Sequence, residues 1–197
     1  IKGQGTVGLI TYLRTDSTRI SVEADAAAKE YIKEAYGAEF VGAGTVAKKD
    51  DKKVQDAHEA IRPTYMTNSP ASIKDELSRD QFRLYQLIWN RFMASRMAPA
   101  KYENTSVKIA AGDYRFNASA SKIAFDGFLS VYNINNEKSE GNVMLKSIDE
   151  DTKLTLNDLE PKQHFTQPPA HYTEASLVKT LEEFGIGRPS TYAPTIS

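Results

Sequence analysis

The stretch SRDQFRLYQLIWNRFMASRMAP, residues 78–99, carries the clearest helical signal in the chain. Large apolar residues recur there at the three- and four-residue spacing of one helix face, with Trp89 beside them: Phe82, Tyr85, Leu87, Ile88, Phe92 and Met93. Ser78 and Gln81 have the spacing of a capping box, and Pro99 ends the pattern. We therefore predict a helix over 79–97.

Other segments indicate what surrounds this helix. Ser21 has the character of an N-cap for a helix over 22–36, which Gly37 ends. Residues 7–13 are rich in strand-forming types and are predicted to be a strand or extended. The segment ENTSVKIAAGDYRFNASAS, residues 103–121, alternates around a Gly-Asp turn and predicts a hairpin.

The second half of the chain continues this β-rich pattern and then returns to helix. FDGFLSVYN (125–133) and KLTLNDLEPKQHFT (153–166) are further strand candidates. YTEASLVKTLEEFG (172–185) predicts a helix capped by Thr173, and another helix begins near Arg188. The expected class is α+β. The expected division is a mostly helical part over 1–98, a β-rich part over 99–167, and the start of a second helical part over 168–197.

Composition excludes several classes of protein and site. With no cysteine among 197 residues, disulfides, thiolate catalysis and cysteine zinc sites are excluded. No apolar run approaches the roughly 20 residues that span a bilayer, so no membrane association is expected. Because the chain starts at an isoleucine and stops within a helical pattern, we expect a segment of a longer protein.

The distribution of charge permits a local anion site in the first half of the chain. Residues 1–101 contain 16 Lys and Arg against 13 Asp and Glu, whereas residues 102–197 contain 9 against 13. The net charge of −1 argues against a surface that binds nucleic acid uniformly.

The segment GLITYLRTDSTRIS, residues 8–21, places Tyr12 two positions before Arg14. A phenol becomes a useful nucleophile when a cation stabilises its anion and the charge on an attacked phosphate. In an extended segment these two side chains would share one face, about 7 Å apart, with room for a phosphate between them. The alternative is a packed strand tyrosine beside a surface arginine.

The segment DAHEAIRP, residues 56–63, is the second candidate. On a helical turn His58 and Arg62 would face the same side and could approach a phosphate, with Asp56 orienting the imidazole. The alternative is a solvated polar loop with an incidental histidine. The three histidines lack metal-ligand spacing, and no acidic pair of the type that holds Mg²⁺ is evident, so no metal site is predicted in these residues.

The segment GIGRPSTYA, residues 185–193, is the third. Arg188, Ser190 and Thr191 stand at a helix start, where backbone N–H groups and hydroxyls can hold a phosphate. Helix capping alone would explain the hydroxyl residues equally well.

Three blocks, GLITYLRTDSTRIS, QDAHEAIRPT (55–64) and FTQPPAHYTEASLVKTLEEFGIGRPSTYAPTIS (165–197), resemble the bacterial type IA DNA topoisomerases in order and spacing. The resemblance covers nearly the whole chain. It implies that residues 1–98 are the tyrosine-bearing domain, 99–167 a β-rich arm of the torus, and 168–197 the start of the helical DNA-gate domain.

The resemblance also implies roles for the candidate residues. Tyr12 would attack one DNA strand and form a 5′-phosphotyrosine, with Arg14 on the scissile phosphate and His58 supporting the cleavage site. Contacts to the DNA backbone would come from Arg14, Arg62, Arg188, Ser190 and Thr191. The chain departs from the family pattern at Leu13, where methionine is common, and at Ala170-His171, where a proline/arginine pairing is more usual.

Cofactor and partners follow from the same resemblance. Mg²⁺ would be bound by an acidic domain that precedes this region in the family and is not in these residues, so the segment alone is expected to be inactive. The expected substrate is single-stranded or negatively supercoiled DNA, cleaved and religated without ATP, in a cytoplasmic, nucleoid-associated protein.

A non-catalytic scaffold that binds single-stranded DNA is the alternative function. Its support is a set of scattered aromatic residues that could stack on bases: Tyr65, Tyr102, Phe116 and Tyr132.

Overall fold

A computed structural model describes residues 5, 7–15, 17–43, 58–132, 149 and 151–196. The chain divides into two compact units, Ile1–Leu145 and Lys146–Ser197. Helices and strands in the described residues are α1 (Val22–Ala35), α2 (Arg79–Arg96), β1 (Lys101–Ala111), β2 (Tyr114–Phe125), α3 (Glu174–Glu183) and α4 (Pro189–Ile196), with short 3₁₀ turns at Ala38–Phe40, Lys74–Glu76 and Gly127–Ser130. The predicted α+β class is confirmed.

Three helices begin where their capping residues predict. The Ser21 hydroxyl accepts a hydrogen bond from the backbone N–H of Ala24 at the start of α1 (3.3 Å). In α2 the Ser78 hydroxyl accepts from the N–H of Gln81 (3.4 Å), whose side-chain oxygen accepts from the N–H of Ser78 (3.1 Å). Thr173 caps α3 in the same reciprocal way. These side chains satisfy N–H groups that have no partner within the helix.

The core of the first unit forms between α1, α2 and the chain that precedes α2. Its buried members are Ala28, Ile32, Met66, Ile73, Tyr85, Trp89, Phe92, Met93 and Met97. The ring of Tyr31 meets Trp89 edge-on, with centroids 5.7 Å apart. The Tyr85 hydroxyl donates to the carbonyl oxygen of Asn68 (2.6 Å), and burial raises the pKa of Tyr85 to about 12. Most of the predicted apolar face of α2 packs on this core, but Leu87, which was included in that face, is 54% exposed.

A charge pair joins α1 to the end of α2. Arg96, whose side chain is 7% exposed, donates to a carboxylate oxygen of Asp25 at 2.9 Å. Lys29 contacts the other oxygen at 2.7 Å. Burial alone would raise the pKa of Asp25, but hydrogen bonds and charge from Lys29 and Arg96 outweigh it, so that pKa lies below its ordinary value. The pair therefore favours the ionised carboxylate.

The end of α2 is also held by a close approach of backbone. The N–H of Gly42 donates to the carbonyl oxygen of Arg96 (2.9 Å), and the N–H of Ala98 donates to that of Phe40 (2.8 Å). A Cβ on Gly42 would overlap the carbonyl oxygen of Met97. Only glycine permits these two segments to approach so closely.

The predicted hairpin is confirmed. β1 and β2 pair antiparallel, with Ala111 opposite Tyr114 across the Gly112-Asp113 turn. Gly112 has φ +62, a conformation that glycine adopts at little cost. The register puts Val107, Ile109 and Phe116 on one face of the hairpin.

Two strand predictions were wrong. β2 ends at Phe125, and residues Gly127–Ser130 form a 3₁₀ turn that begins at Gly127, whose φ is +51. The apolar residues there pack on the core, and the N–H of Phe128 donates to the carbonyl oxygen of Ala98 (3.0 Å). Within 153–166 the chain takes neither helix nor strand, and its leucines are exposed, since no neighbouring strand pairs with it in the described residues.

Substituting Gly42 by alanine should destabilise the first unit. The added Cβ must displace backbone rather than a flexible side chain, so we expect the free energy of unfolding to fall by about 1–3 kcal/mol. Thermal unfolding measures the effect. Gly8→Ala is the matched control, since a Cβ added at Gly8 would meet nothing within 4 Å. Equal melting temperatures for the two variants would contradict the close packing of Gly42.

The Asp25–Arg96 pair should make stability depend on pH in one direction. Because the folded pKa of Asp25 lies below the ordinary 3.8, the contribution is complete at neutral pH and is lost as pH falls through the folded pKa. We expect Asp25→Asn to lower unfolding free energy by about 2 kcal/mol at pH 7. The difference from the parent should shrink at acidic pH. Lys29→Gln, which removes an i,i+4 partner, should cost much less. A pH-independent difference would refute this account.

Candidate active site around Tyr12

A short antiparallel pairing carries Tyr12. The backbone N–H of Thr11 donates to the carbonyl oxygen of Arg62 (2.9 Å), and the N–H of Thr64 donates to that of Leu9 (3.0 Å). These two bonds flank a bridge between Ile10 and Pro63. Proline has no N–H, but this position of an antiparallel pair needs none. The predicted extended course of residues 7–13 is therefore confirmed as far as residue 11.

A tight turn follows immediately. The N–H of Arg14 donates to the carbonyl oxygen of Tyr12 (2.9 Å), which closes a three-residue turn centred on Leu13. The chain is not extended from position 12 to 14, so the expectation of a shared strand face for Tyr12 and Arg14 was wrong. Both side chains are exposed, that of Tyr12 by 73%. Tyr12 is thus presented at the surface and is not a packed strand residue.

His58 lies against the tyrosine. The two rings stack with centroids 5.7 Å apart and planes inclined by 25°. His58 is half-buried, and its Nδ1 atom is buried. The structure therefore brings together two residues that are 46 positions apart in the sequence. Asp56, which we expected to orient the imidazole, lies outside the described residues.

Arg62 does not share a helical turn with His58, because residues 58–62 are not helical. Its guanidinium contacts one carboxylate oxygen of Glu59 through Nε (3.1 Å) and Nη2 (2.7 Å), and Nη1 donates to the carbonyl oxygen of Pro63 (3.0 Å). The side chain is 13% exposed. All three guanidinium nitrogens are engaged within the chain. Glu59 belongs to the same charged cluster in the sequence but was assigned no role there, although opposite charges three residues apart indicate such a pair.

The block at residues 185–193 lies in the second compact unit. The Thr191 hydroxyl accepts from the N–H of Arg188 (2.9 Å) and donates to the carbonyl oxygen of the same residue (3.0 Å). The Thr191 hydroxyl thus satisfies the N–H of the residue that precedes α4, as the third residue of a capping box does. Arg188 and Ser190 are exposed.

An apolar cleft lies next to the pairing. It is lined by Leu9, Ile10, Leu77, Gln81, Leu84, Tyr85 and Ile88. The Tyr85 hydroxyl is already committed to Asn68, so the cleft offers little chemistry. The candidate site is the exposed surface at Tyr12 and His58.

The described residues do not provide a metal centre or a membrane span. No three His, Asp or Glu side chains gather within the part of the chain that the structure covers. None of the helices in those ranges is long and apolar enough to cross a bilayer.

Comparisons with known proteins identify the family. A family model described as DNA topoisomerase matches residues 5–197. A solved structure of full-length topoisomerase I from Thermotoga maritima is similar, with a TM-score of 0.69 and 38% sequence identity. The match covers 96% of this chain and 30% of that chain, so this chain spans less than a third of the matched protein. Together with the motif blocks, these matches place the chain in the bacterial type IA DNA topoisomerase family.

Proposed function

We propose that this chain carries the strand-cleaving tyrosine of a type IA DNA topoisomerase and that Tyr12 is that residue. The supporting observation is the exposed Tyr12 side chain stacked on His58. Since the chain spans 30% of the matched Thermotoga maritima protein, relaxation of negatively supercoiled DNA by the complete protein is part of the proposal.

In the proposed reaction the phenol oxygen of Tyr12 attacks the phosphorus of a phosphodiester in single-stranded DNA. A bond forms between that oxygen and phosphorus while the bond from phosphorus to the 3′ oxygen breaks. The phenol loses its proton, and the leaving 3′ oxygen takes one up. After strand passage the 3′-hydroxyl reverses the attack. One phosphodiester replaces another at each step, so the reaction needs no ATP.

The neighbouring residues have distinct proposed roles. Arg14 would hold two oxygens of the scissile phosphate, because a guanidinium is a planar fork suited to that geometry. His58 would hold the tyrosine ring by stacking. Arg188, Ser190 and Thr191 are proposed contacts to the DNA backbone. Arg62 is also a proposed contact, but it must first release Glu59.

Mg²⁺ is proposed to be held by the acidic domain that precedes this region in the family. The described residues do not fit a Mg²⁺ site, since they contain no cluster of three His, Asp or Glu side chains, and we assign no step to a metal here. The chain alone is expected to be inactive, and that domain is its expected partner. A cytoplasmic, nucleoid-associated location is proposed because the substrate is DNA.

A scaffold that binds single-stranded DNA without cleaving it is the second candidate. Its support is the exposure of Tyr65, Tyr102 and Phe116. The hairpin register separates two of them, because Tyr102 lies opposite Ile123 on one face while Phe116 lies opposite Ile109 on the other. They cannot form one continuous stacking platform, so this candidate is weaker. It predicts salt-sensitive DNA binding that Tyr12→Phe leaves unchanged.

Replacing Tyr12 by phenylalanine should abolish cleavage. The change removes the attacking oxygen but retains the ring that stacks on His58. We expect relaxation of negatively supercoiled plasmid by the complete protein that contains this chain to fall at least about a thousandfold. Tyr65→Phe is the matched control, because Tyr65 is also exposed (55%).

The polarity of the covalent link gives a second measurement. With a 5′-phosphotyrosine, a label at the 3′ end of an oligonucleotide stays on the protein after denaturation, whereas a 5′ label is released. Relaxation that survives Tyr12→Phe, or retention of the 5′ label, would show that the assignment is wrong.

Arg14 and Arg62 should respond differently to substitution by glutamine. Loss of a charged phosphate contact predicts a cleavage rate about 10–100 times lower for Arg14→Gln. Arg62→Gln should mainly lower the melting temperature, because it leaves the half-buried Glu59 carboxylate without its guanidinium. Cleavage rates and thermal unfolding of both variants test this. If Arg62→Gln is as stable as the parent and loses more cleavage rate than Arg14→Gln, then Arg62 and not Arg14 is the phosphate contact.

A further inference from the structure

The hydroxyl of Thr11, next to Tyr12 in the chain, joins the two segments of the candidate site. It donates to the carbonyl oxygen of Ala60 (2.9 Å) and accepts from the backbone N–H of Arg62 (3.0 Å). The backbone N–H of Thr11 donates in turn to the carbonyl oxygen of Arg62 (2.9 Å). One residue thus makes three hydrogen bonds to the segment that carries His58.

These bonds matter because the Tyr12 side chain is itself 73% exposed. Little side-chain packing is available to hold its ring, so the position of the ring over His58 depends on the two backbones. Thr11 precedes Tyr12, and Ala60 lies two residues after His58. The hydroxyl therefore fixes the alignment of the two segments where the rings meet.

We propose that Thr11 is a positioning residue for strand cleavage, which acts by holding Tyr12 and His58 in their stacked arrangement. The proposal rests on the proposed function of Tyr12. Thr11 acts through the backbone and is not assigned any contact with the reacting atoms.

Three variants isolate the hydroxyl. Thr11→Val keeps the shape but removes the two hydrogen bonds of the hydroxyl, and it leaves the backbone bond from Thr11 to Arg62 in place. Thr11→Ser keeps the hydroxyl. Thr64→Val is the matched control, because the Thr64 hydroxyl donates to the carbonyl oxygen of Gly8 (2.8 Å) in the same pairing but farther from Tyr12.

The first measurement needs no activity. In the 197-residue chain, the NMR shifts of the His58 ring protons contain a ring-current contribution from Tyr12, defined by comparison with Tyr12→Leu. We expect Thr11→Val to lose most of that contribution, while Thr11→Ser and Thr64→Val retain it. Parent-like shifts in Thr11→Val would overturn the proposal.

The second measurement is single-turnover cleavage of a single-stranded oligonucleotide by the complete protein that contains this chain. We expect Thr11→Val to cleave about tenfold more slowly at saturating DNA. The DNA concentration that gives half of the maximal rate should not change. Thr11→Ser should remain within about twofold of the parent. An equal loss of cleavage rate in Thr64→Val would show a general effect on the pairing and contradict the proposal. A change only in the DNA concentration at half-maximal rate would contradict it as well.

The two measurements separate the proposals. If the parent does not cleave while Tyr12 and His58 respond to Thr11 in the NMR experiment, the proposed function fails and the positioning of the rings stands. If Thr11→Val does not fold, Thr11→Ser and Thr11→Ala, which differ by one hydroxyl, make the same comparison.

Discussion

The pairing of residues 8–11 with residues 60–64 controls the geometry of the candidate site. Backbone hydrogen bonds from Thr11 and Thr64 hold it, and Pro63 stands where no N–H is required. Leu9 and Ile10 pack against the core that α2 builds. The arrangement of Tyr12 and His58 therefore depends on the same apolar burial that stabilises the first unit, although both residues lie near the surface.

The arginine side chains of the first unit differ in how deeply they are buried. Arg62 and Arg96 are largely buried, and each has a carboxylate partner, Glu59 and Asp25 respectively. A buried guanidinium has lost its hydration, so such a partner is needed to keep it in place. Arg14 is exposed and lies just after the turn that follows Tyr12.

Local patterns predicted the helices and the hairpin well. The capping residues Ser21, Ser78 and Thr173 mark the observed helix starts, because a cap and the N–H groups that it satisfies are close in sequence. The strand predicted over 125–133 was wrong, since the conformation of Gly127 and the packing of Phe128 on the core are not local properties. The strand predicted over 153–166 was wrong for a related reason, because a strand needs a partner that alternation cannot supply.

For the candidate site, the order of the motifs indicated a family that is confirmed, whereas the roles of Tyr12, Arg14 and His58 stay predictions. The order of the motifs did not predict how these side chains are placed relative to one another. Positions 12 and 14 depart from a shared strand face because a backbone hydrogen bond closes a turn between them. His58 approaches Tyr12 through hydrogen bonds that cross about 50 residues of chain, such as the one from Thr11 to Ala60. Residue types and their order are local properties that a sequence displays, whereas contacts across such a distance exist only once the core has formed.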